Sequence, residues 1–542
     1  MPRHPASSIV YSLSVPGVIH KFPKGARPMK TSHFLTQFKT IVTLILLSTF
    51  FRISNGSGQT NSASQPKTII INAQAPTHAF PHYWEQMFGS GRAILTLRQS
   101  YHQDLKSVKS VTDFQYVRFH GIFNQEVGLY GENKQGQPEY NFTYIDQIYD
   151  GLLANGVRPF VELSFMPQAL ASTPERQPFF YHPYIAPPKD WNRWGDLIRA
   201  FAQHLVARYG IDEVSCWYFE VWNEPNIGFW AGNPKQATYF HLYDVAARAL
   251  KGVSPRLRVG GPATAQAAWV NAFIQHCADG RVPVDFVSTH VYGDDTAEDV
   301  FGTDQKIGRR DMVVMAVKKV HAEVKSSPLP NLPIIFSEYN ATYMNIPDIT
   351  DSAFMGPWLA ETIGRCDGLV HLLSYWAFTD VFEEQGVGKT PFYGGYGLVA
   401  IGHIPKAAYN DFALLHRLGN ERLAEEKGPI IATRTVDGTL AIALWNYAPP
   451  GNGGNSHAYK LSFQGVTGAH RAIIWTVDDH YGSPFTTWEV MGKPNFPTPA
   501  QQQILRQAAQ IPPPHIEATA ADNPTVTVTL QPHALSLIEI AR

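Results

Sequence analysis

Two glutamates stand where apolar runs give out. In "CWYFEVWNEPNIGFW" (Cys216 to Trp230), Glu220 and Glu224 lie four residues apart in an aromatic setting, with Asn223 and Pro225 flanking the second. A second apolar run ends in "FSEYN" and delivers Glu338. Carboxylates are rarely put in such surroundings unless they are paired or used. Two of them at one site suit glycoside hydrolysis: one carboxyl protonates the leaving oxygen while the other stabilises or attacks the anomeric carbon. Further polar residues follow the same rule of position. Arg118 and His120 share parity in "YVRFH" and so face one side, as do His290 and Tyr292 after "DFVSTH". Glu162 closes "RPFVELS", and Trp376 precedes "TDVFEE", which holds Asp380, Glu383 and Glu384. Asn223 and Glu224 are neighbours, and a regular strand cannot point both inward. The strand must bulge or end there, and Pro225 favours an ending.

The elements that must position these residues alternate. Apolar runs occur around Glu85 to Phe88 and at Tyr116 to His120, Arg158 to Ser164, Cys216 to Trp222, Leu257 to Gly261, Asp285 to His290, Pro333 to Tyr339 and Leu372 to Phe378. Amphipathic stretches separate them, with Leu197, Phe201 and Leu205 at helical spacing and Val313, Val317, Val320 and Val324 likewise. Continuous apolar strands between helices predict a parallel sheet covered on both faces, and eight such units predict a (β/α)8 TIM barrel in the α/β class. In such a barrel the chemistry collects just beyond the strand ends, so Glu224 and Glu338, ending strands four and seven, sit across one mouth. Glu162 and Glu220 are read as members of polar networks inside the barrel.

After about Leu418 the pattern turns to alternating, β-branched runs broken by Gly, Pro, Asn and Asp, with Asp437-Gly438 as a hairpin turn. This predicts a C-terminal antiparallel β-sandwich, to which Lys67 to Ala73 contributes a strand from ahead of the barrel. "TPAQQQILRQAAQ" reads as a helix entered through Pro499. The expected division is an N-terminal extension and signal peptide (1–58), a linker and strand joining the sandwich (59–78), the barrel (79–418) and the sandwich (419–542).

Lys30 and Lys39 precede "IVTLILLSTFF" (Ile41 to Phe51), an apolar core of signal-peptide length followed by small residues. A signal near residues 29–58 predicts a secreted or periplasmic protein with no membrane contact after cleavage; an uncleaved anchor is the other reading. The 542 residues carry a formal net charge of −1, which speaks against nucleic acid or an anionic membrane as partner. Three cysteines lack metal spacing, and no HxxxH or HxH pattern marks a metal site. Cys216, inside an apolar run, is expected to be packing rather than a nucleophile. No cofactor is called for.

"FEVWNEPN" and "FSEYNATY" together resemble glycoside hydrolase family 39, the β-xylosidase and α-L-iduronidase family of the barrel-type retaining clan. "HYWEQMFGSGRA", "VRFHGIF", "RPFVELSFMP", "DFVSTHVYG", "SYWAFTDVFEEQG", "TPFYGGYGL" and "WEVMGKP" continue the likeness in order, over roughly residues 67 to 542. The resemblance implies that Glu224 is the general acid/base and Glu338 the nucleophile of a retaining double displacement. It implies that Asn223 bonds the sugar 2-hydroxyl, that His120, His290, Glu383 and Glu384 hold other hydroxyls, and that Trp376 is a sugar platform. Arg118 and Tyr292 are fitting neighbours for keeping Glu338 charged, while burial and nearby negative charge would raise the pKa of Glu224. The substrate is then an oligosaccharide or small glycoside. β-Xyloside is the first choice, and β-glucosidase, α-L-arabinopyranosidase and α-L-iduronidase-like activities remain open, as do a homo-oligomer and an exported, non-catalytic carbohydrate-binding barrel.

Overall fold

The computed structural model describes residues 65–541 apart from 425, 426, 452 and 469, so the expected signal segment lies outside the described residues. Eight parallel strands close a barrel in chain order. They are Met87–Arg92, Tyr116–His120, Arg158–Leu163, Tyr218–Val221, Arg258–Thr264, Phe286–Tyr292, Ile334–Asn340 and Leu372–Tyr375, called strands one to eight below. Each lies within three residues of its predicted run or overlaps it. Strand four starts later than expected: Cys216 sits in the turn before it, half-buried against the core, and all three cysteines are free thiols.

Alternation along each strand sorts the barrel interior into levels. Met87, Phe160, Tyr218, Phe286, Ile335 and Leu372 form an apolar cluster at one level. Two residues further along the same strands come Glu162, Glu220, Ser288, Ser337 and Ser374, all buried. Register adds the lateral order, pairing Glu162 with Glu220 and His290 with Glu338. Between strands six and seven the ladder skips a residue: Thr289 faces Phe336 and His290 faces Glu338, leaving Ser337 as the extra residue of a bulge. That bulge lets the adjacent Ser337 and Glu338 both reach the interior.

Apart from two short two-stranded pairs, the remaining described strands form two layers. Lys67–Asn72 lies parallel to His457–Gln464, which pairs with Thr525–Leu530. The second sheet has seven strands, with Ile430–Arg434, Leu440–Trp445 and Leu535–Ala541 at its centre. Ile69, Ile71, Leu461, Phe463, Val526 and Val528 face Ile442, Leu444, Ile538 and Ile540 in one apolar core, which makes the pair a sandwich. The other face of the seven-stranded sheet joins the barrel's core through Ala441, Ala443, Leu535 and Leu537. The helix at Pro499–Ala508 forms as predicted, closed by a reciprocal capping box between Thr498 and Gln501. No helix among the described residues is long and apolar enough to cross a membrane.

One buried ion cluster shapes the loop beyond strand eight. Lys406, fully buried, lies 2.6 Å from both Asp351 and Asp380 and donates to the Gly395 carbonyl at 2.8 Å. Asp380 in turn accepts the Gly397 N–H and Asp351 the Gly394 N–H. A Cβ on Gly397 would come within 2.4 Å of Asp380 backbone, so glycine is required by the closeness of the approach. This clamp carries Tyr396 to the cavity described below. Lys406→Met leaves two buried carboxylates without their cation and is expected to cost about 3–5 kcal/mol in urea unfolding. An unchanged midpoint would show that the clamp contributes nothing to stability.

Candidate active site

A cavity of about 310 Å³ opens at the carboxyl ends of the barrel strands. Strand four stops at Val221, and Trp222 and Glu224 take left-handed backbone angles (φ 74° and 45°). The strand therefore ends, as the adjacent Asn223 and Glu224 required, and the Glu224 N–H is held by the Ala263 carbonyl at 2.7 Å. Asn223, Glu224, Glu338, His120, Tyr292, Trp376 and Glu384 all line the cavity.

Arg118 organises the floor behind them. Its Nε donates to Glu220 at 2.6 Å, Nη1 to Glu338 at 2.5 Å and Nη2 to Asn223 Oδ1 at 2.9 Å, with Glu162 2.7 Å from Nη2. Burial works against the guanidinium's charge, and the carboxylates of Glu162, Glu220 and Glu338 more than offset it. Glu162 also takes His120 Nδ1 at 2.7 Å. Burial pulls the His120 pKa down, but Glu162 and Glu384 raise it to about 10, so the imidazole is cationic at neutral pH. The His120 ring lies against Trp376 with centroids 4.8 Å apart, and Arg118 sits 5.7 Å from the same indole.

The two mouth carboxylates are close together and differently supported. An oxygen of each and a nitrogen of His290 all lie within 4.8 Å of one another. Glu338 accepts from Arg118 and, at 2.7 Å, from the Tyr292 hydroxyl. Glu224 has no such cation; its Oε1 lies 3.1 Å from His290 Nδ1. Burial pushes both carboxyls upward. For Glu338, Arg118, His120 and Tyr292 restrain the rise, whereas Glu224 is lifted well above the usual range by burial and by the charge of Glu338. The two environments therefore favour the proton on Glu224 over Glu338. A metal ion is poorly served here, since the Arg118 charge already lies against Glu338.

Three of the predicted site residues do not reach the cavity wall. Arg118 and His290 stand behind Asn223 and the mouth carboxylates. Glu383 is turned away and held by Arg92 at 2.9 Å and Arg98 at 2.7 Å, so it braces the loop after strand eight instead of facing a sugar. Residues not picked out from the sequence also line the wall, among them Phe179, Gln266, Asp295 and Tyr396. Tyr396 lies in "TPFYGGYGL", a segment noticed for its resemblance without being given a role. Gln266 belongs to a loop after strand five where Gln266, Ala267 and Trp269 all have positive φ, as does Ala263 at the strand's end, a conformation without a sequence signal.

Residues 67–526 match the family model for glycosyl hydrolases family 39. The chain belongs to that family. It is 38% identical over 475 residues to a β-xylosidase of Geobacillus stearothermophilus, covering 85% of this chain and 93% of the relative. A β-xylosidase of Caldicellulosiruptor saccharolyticus is 35% identical over 493 residues, with 87% and 98% covered. The crystal structure of a monomeric β-xylosidase from Caulobacter crescentus superposes with a TM-score of 0.80 at 32% identity, covering 88% of this chain and 99% of that one. This family 39 chain is therefore a glycoside hydrolase.

The charge of Glu338 is one of the two main causes of the high Glu224 pKa in the family 39 site. Glu338→Gln is expected to lower that pKa, read as an earlier titration of the Glu224 carboxyl carbon by NMR. A Glu224 titration unmoved by this substitution would mean that burial alone sets it.

Proposed function

We propose that the enzyme removes terminal β-D-xylosyl residues from xylo-oligosaccharides or small xylosides by a retaining double displacement. The observation that carries this reading is the closeness of the two carboxylates, within 4.8 Å at their nearest oxygens, combined with their unequal protonation. Retaining enzymes hold their carboxyl groups about 5–5.5 Å apart, whereas inverting ones leave about 6.5–9.5 Å for a water.

In the first step Glu338 attacks the anomeric carbon as Glu224 gives its proton to the departing oxygen. The ester that forms neutralises Glu338, which removes part of what held the proton on Glu224. Glu224 then takes a proton from water, and the water oxygen displaces Glu338. Asn223 Oδ1 is engaged by Arg118, which leaves its amide NH₂ as the donor for the sugar 2-hydroxyl. His120 and Glu384 are placed to bind the other hydroxyls, and Trp376 to face the ring.

The choice of a neutral sugar has its own support. Among the described residues the cavity wall includes no Lys or Arg, and it does include Asp295 and Glu384. His120, the one cation among the described lining residues, is already engaged by Glu162 and Glu384, so a uronate carboxyl would lack a partner of its own, which disfavours an iduronide. The names of the 38% and 35% identical relatives favour xyloside over the other neutral glycones. We propose further that residues 29–58 direct export; an N-terminus found ahead of residue 41 in the mature protein would contradict this.

Nitrophenyl β-xyloside is expected to give the highest kcat/KM in a panel with β-glucoside, α-arabinopyranoside and α-iduronide. No release from any of them would sink the proposal. Glu338→Gln is expected to lose at least about 10³-fold in kcat, and Glu224→Gln about 10²–10⁴-fold on a poor leaving group. The profile of kcat/KM should be bell-shaped, falling at low pH as Glu338 takes a proton and at high pH as Glu224 loses one. NMR should find the β-anomer first.

A further inference from the structure

Behind Glu224 runs a file of hydrogen bonds that leads to Arg118. Glu224 Oε1 lies 3.1 Å from His290 Nδ1, His290 Nε2 lies 3.1 Å from Ser337 Oγ, and Ser337 Oγ lies 2.6 Å from Glu220 Oε1. The other oxygen of Glu220 takes Arg118 Nε at 2.6 Å. Glu220, His290 and Ser337 are fully buried and none of them lines the cavity. The bulge in strand seven is what turns Ser337 inward to join the file.

The direction of each bond follows from the donors available. Glu220, paired with a guanidinium, is a carboxylate and can only accept, so Ser337 must spend its single proton on it. The Ser337 oxygen can then only accept from His290, which places a proton on Nε2. A neutral imidazole has one N–H, so Nδ1 presents its lone pair, and Glu224 must donate to it. From this we infer that Ser337 is a positioning residue for the proton donor: by fixing the tautomer of His290 it holds the proton on Glu224.

The surroundings agree with a neutral His290. Its ring is faced by Arg118 and His120, both cationic, and by Glu338, whose Oε1 lies 3.7 Å from Nδ1; burial and the two cations depress its pKa well below the ordinary value. Glu224 is faced by Glu338, Asp295, His120 and Arg118 besides His290. Burial and the charge of Glu338 favour its protonated form, and the file adds an acceptor that bonds only that form. The same lone pair opposes the Glu224 carboxylate once the proton has left. It thereby strengthens Glu224 as the base that must recover a proton from water.

The inference rests on Glu224 being the acid/base of the proposed reaction, and the test separates the two. In Ser337→Ala, His290 is free to turn its proton to Nδ1 and stabilise the Glu224 carboxylate. The high-pH limb of kcat/KM is expected to move down by roughly one unit, and Ser337→Thr, which keeps the hydroxyl, to bring it back. Glu220→Gln should do the same as Ser337→Ala by another route. Arg118 requires the amide oxygen, so the NH₂ faces Ser337 and reverses the file. A loss of packing alone would lower the whole profile without moving that limb.

Nitrogen NMR of the imidazoles, with His290→Asn for assignment, should find the His290 proton on Nε2 in the wild type and on Nδ1 in Glu220→Gln. The nitrogen shifts need no turnover, so they test the file even if no glycoside is cleaved. A wild-type proton on Nδ1, or a limb that stays in place in both folded variants, overturns the inference.

Discussion

One guanidinium bears the weight of this active site. Arg118 is wholly buried inside a barrel and neutralises carboxylates on strands three, four and seven while binding the amide of Asn223. Without it, three acidic groups would share a low-dielectric interior with no guanidinium to offset their charge. With it, Glu162 and Glu338 are held below where burial alone would put them. Glu224 has no cation at hydrogen-bond distance, and burial and the charge of Glu338 lift its pKa well above the usual range. Arg suits the place better than Lys because a planar fork engages several acceptors along fixed directions.

This interaction explains why the barrel interior is layered. The apolar level formed by Met87, Phe160, Tyr218, Phe286, Ile335 and Leu372 shuts water out from beneath, and the cavity admits the ligand from above. Between them lies a level in which every charge has a partner. Such a network is tolerable because its charged members satisfy one another, and the groups left over, the Ser288 and Ser374 hydroxyls, are uncharged. The sandwich and the loop clamped by Lys406 stand outside this level and act on it indirectly, the loop by setting Tyr396 in the cavity wall.

Much of this was legible in the residue order. The continuous apolar runs located all eight barrel strands because a parallel sheet buried on both faces leaves long apolar signatures. Parity placed Arg118 with His120 and His290 with Tyr292, and the Asn223-Glu224 neighbours announced the end of strand four. Glu162 and Glu220 were rightly set aside as internal partners, since their carboxylates serve Arg118. What stayed hidden depended on distance in the chain or on backbone shape. Glu383 and Glu384 are adjacent and chemically alike, and only the folded positions of Arg92 and Arg98 divert the first of them. Gln266 is brought in by a left-handed loop built without glycine. The pull on Glu338 by burial, opposed by Arg118, depends on magnitudes that spacing does not carry.

The bulge at Ser337 also constrains how this chain can change over time. A strand of period two that carries one extra residue is in phase on either side of it by virtue of that residue alone. Were strand seven to pair regularly through Ser337, with no bulge, the alternation would send Glu338 to the helix-facing side without disturbing the apolar pattern that lets the barrel form. Strand seven is therefore a place where a protein can keep its fold, and look intact in sequence, while losing its reactive group to the wrong side of the wall.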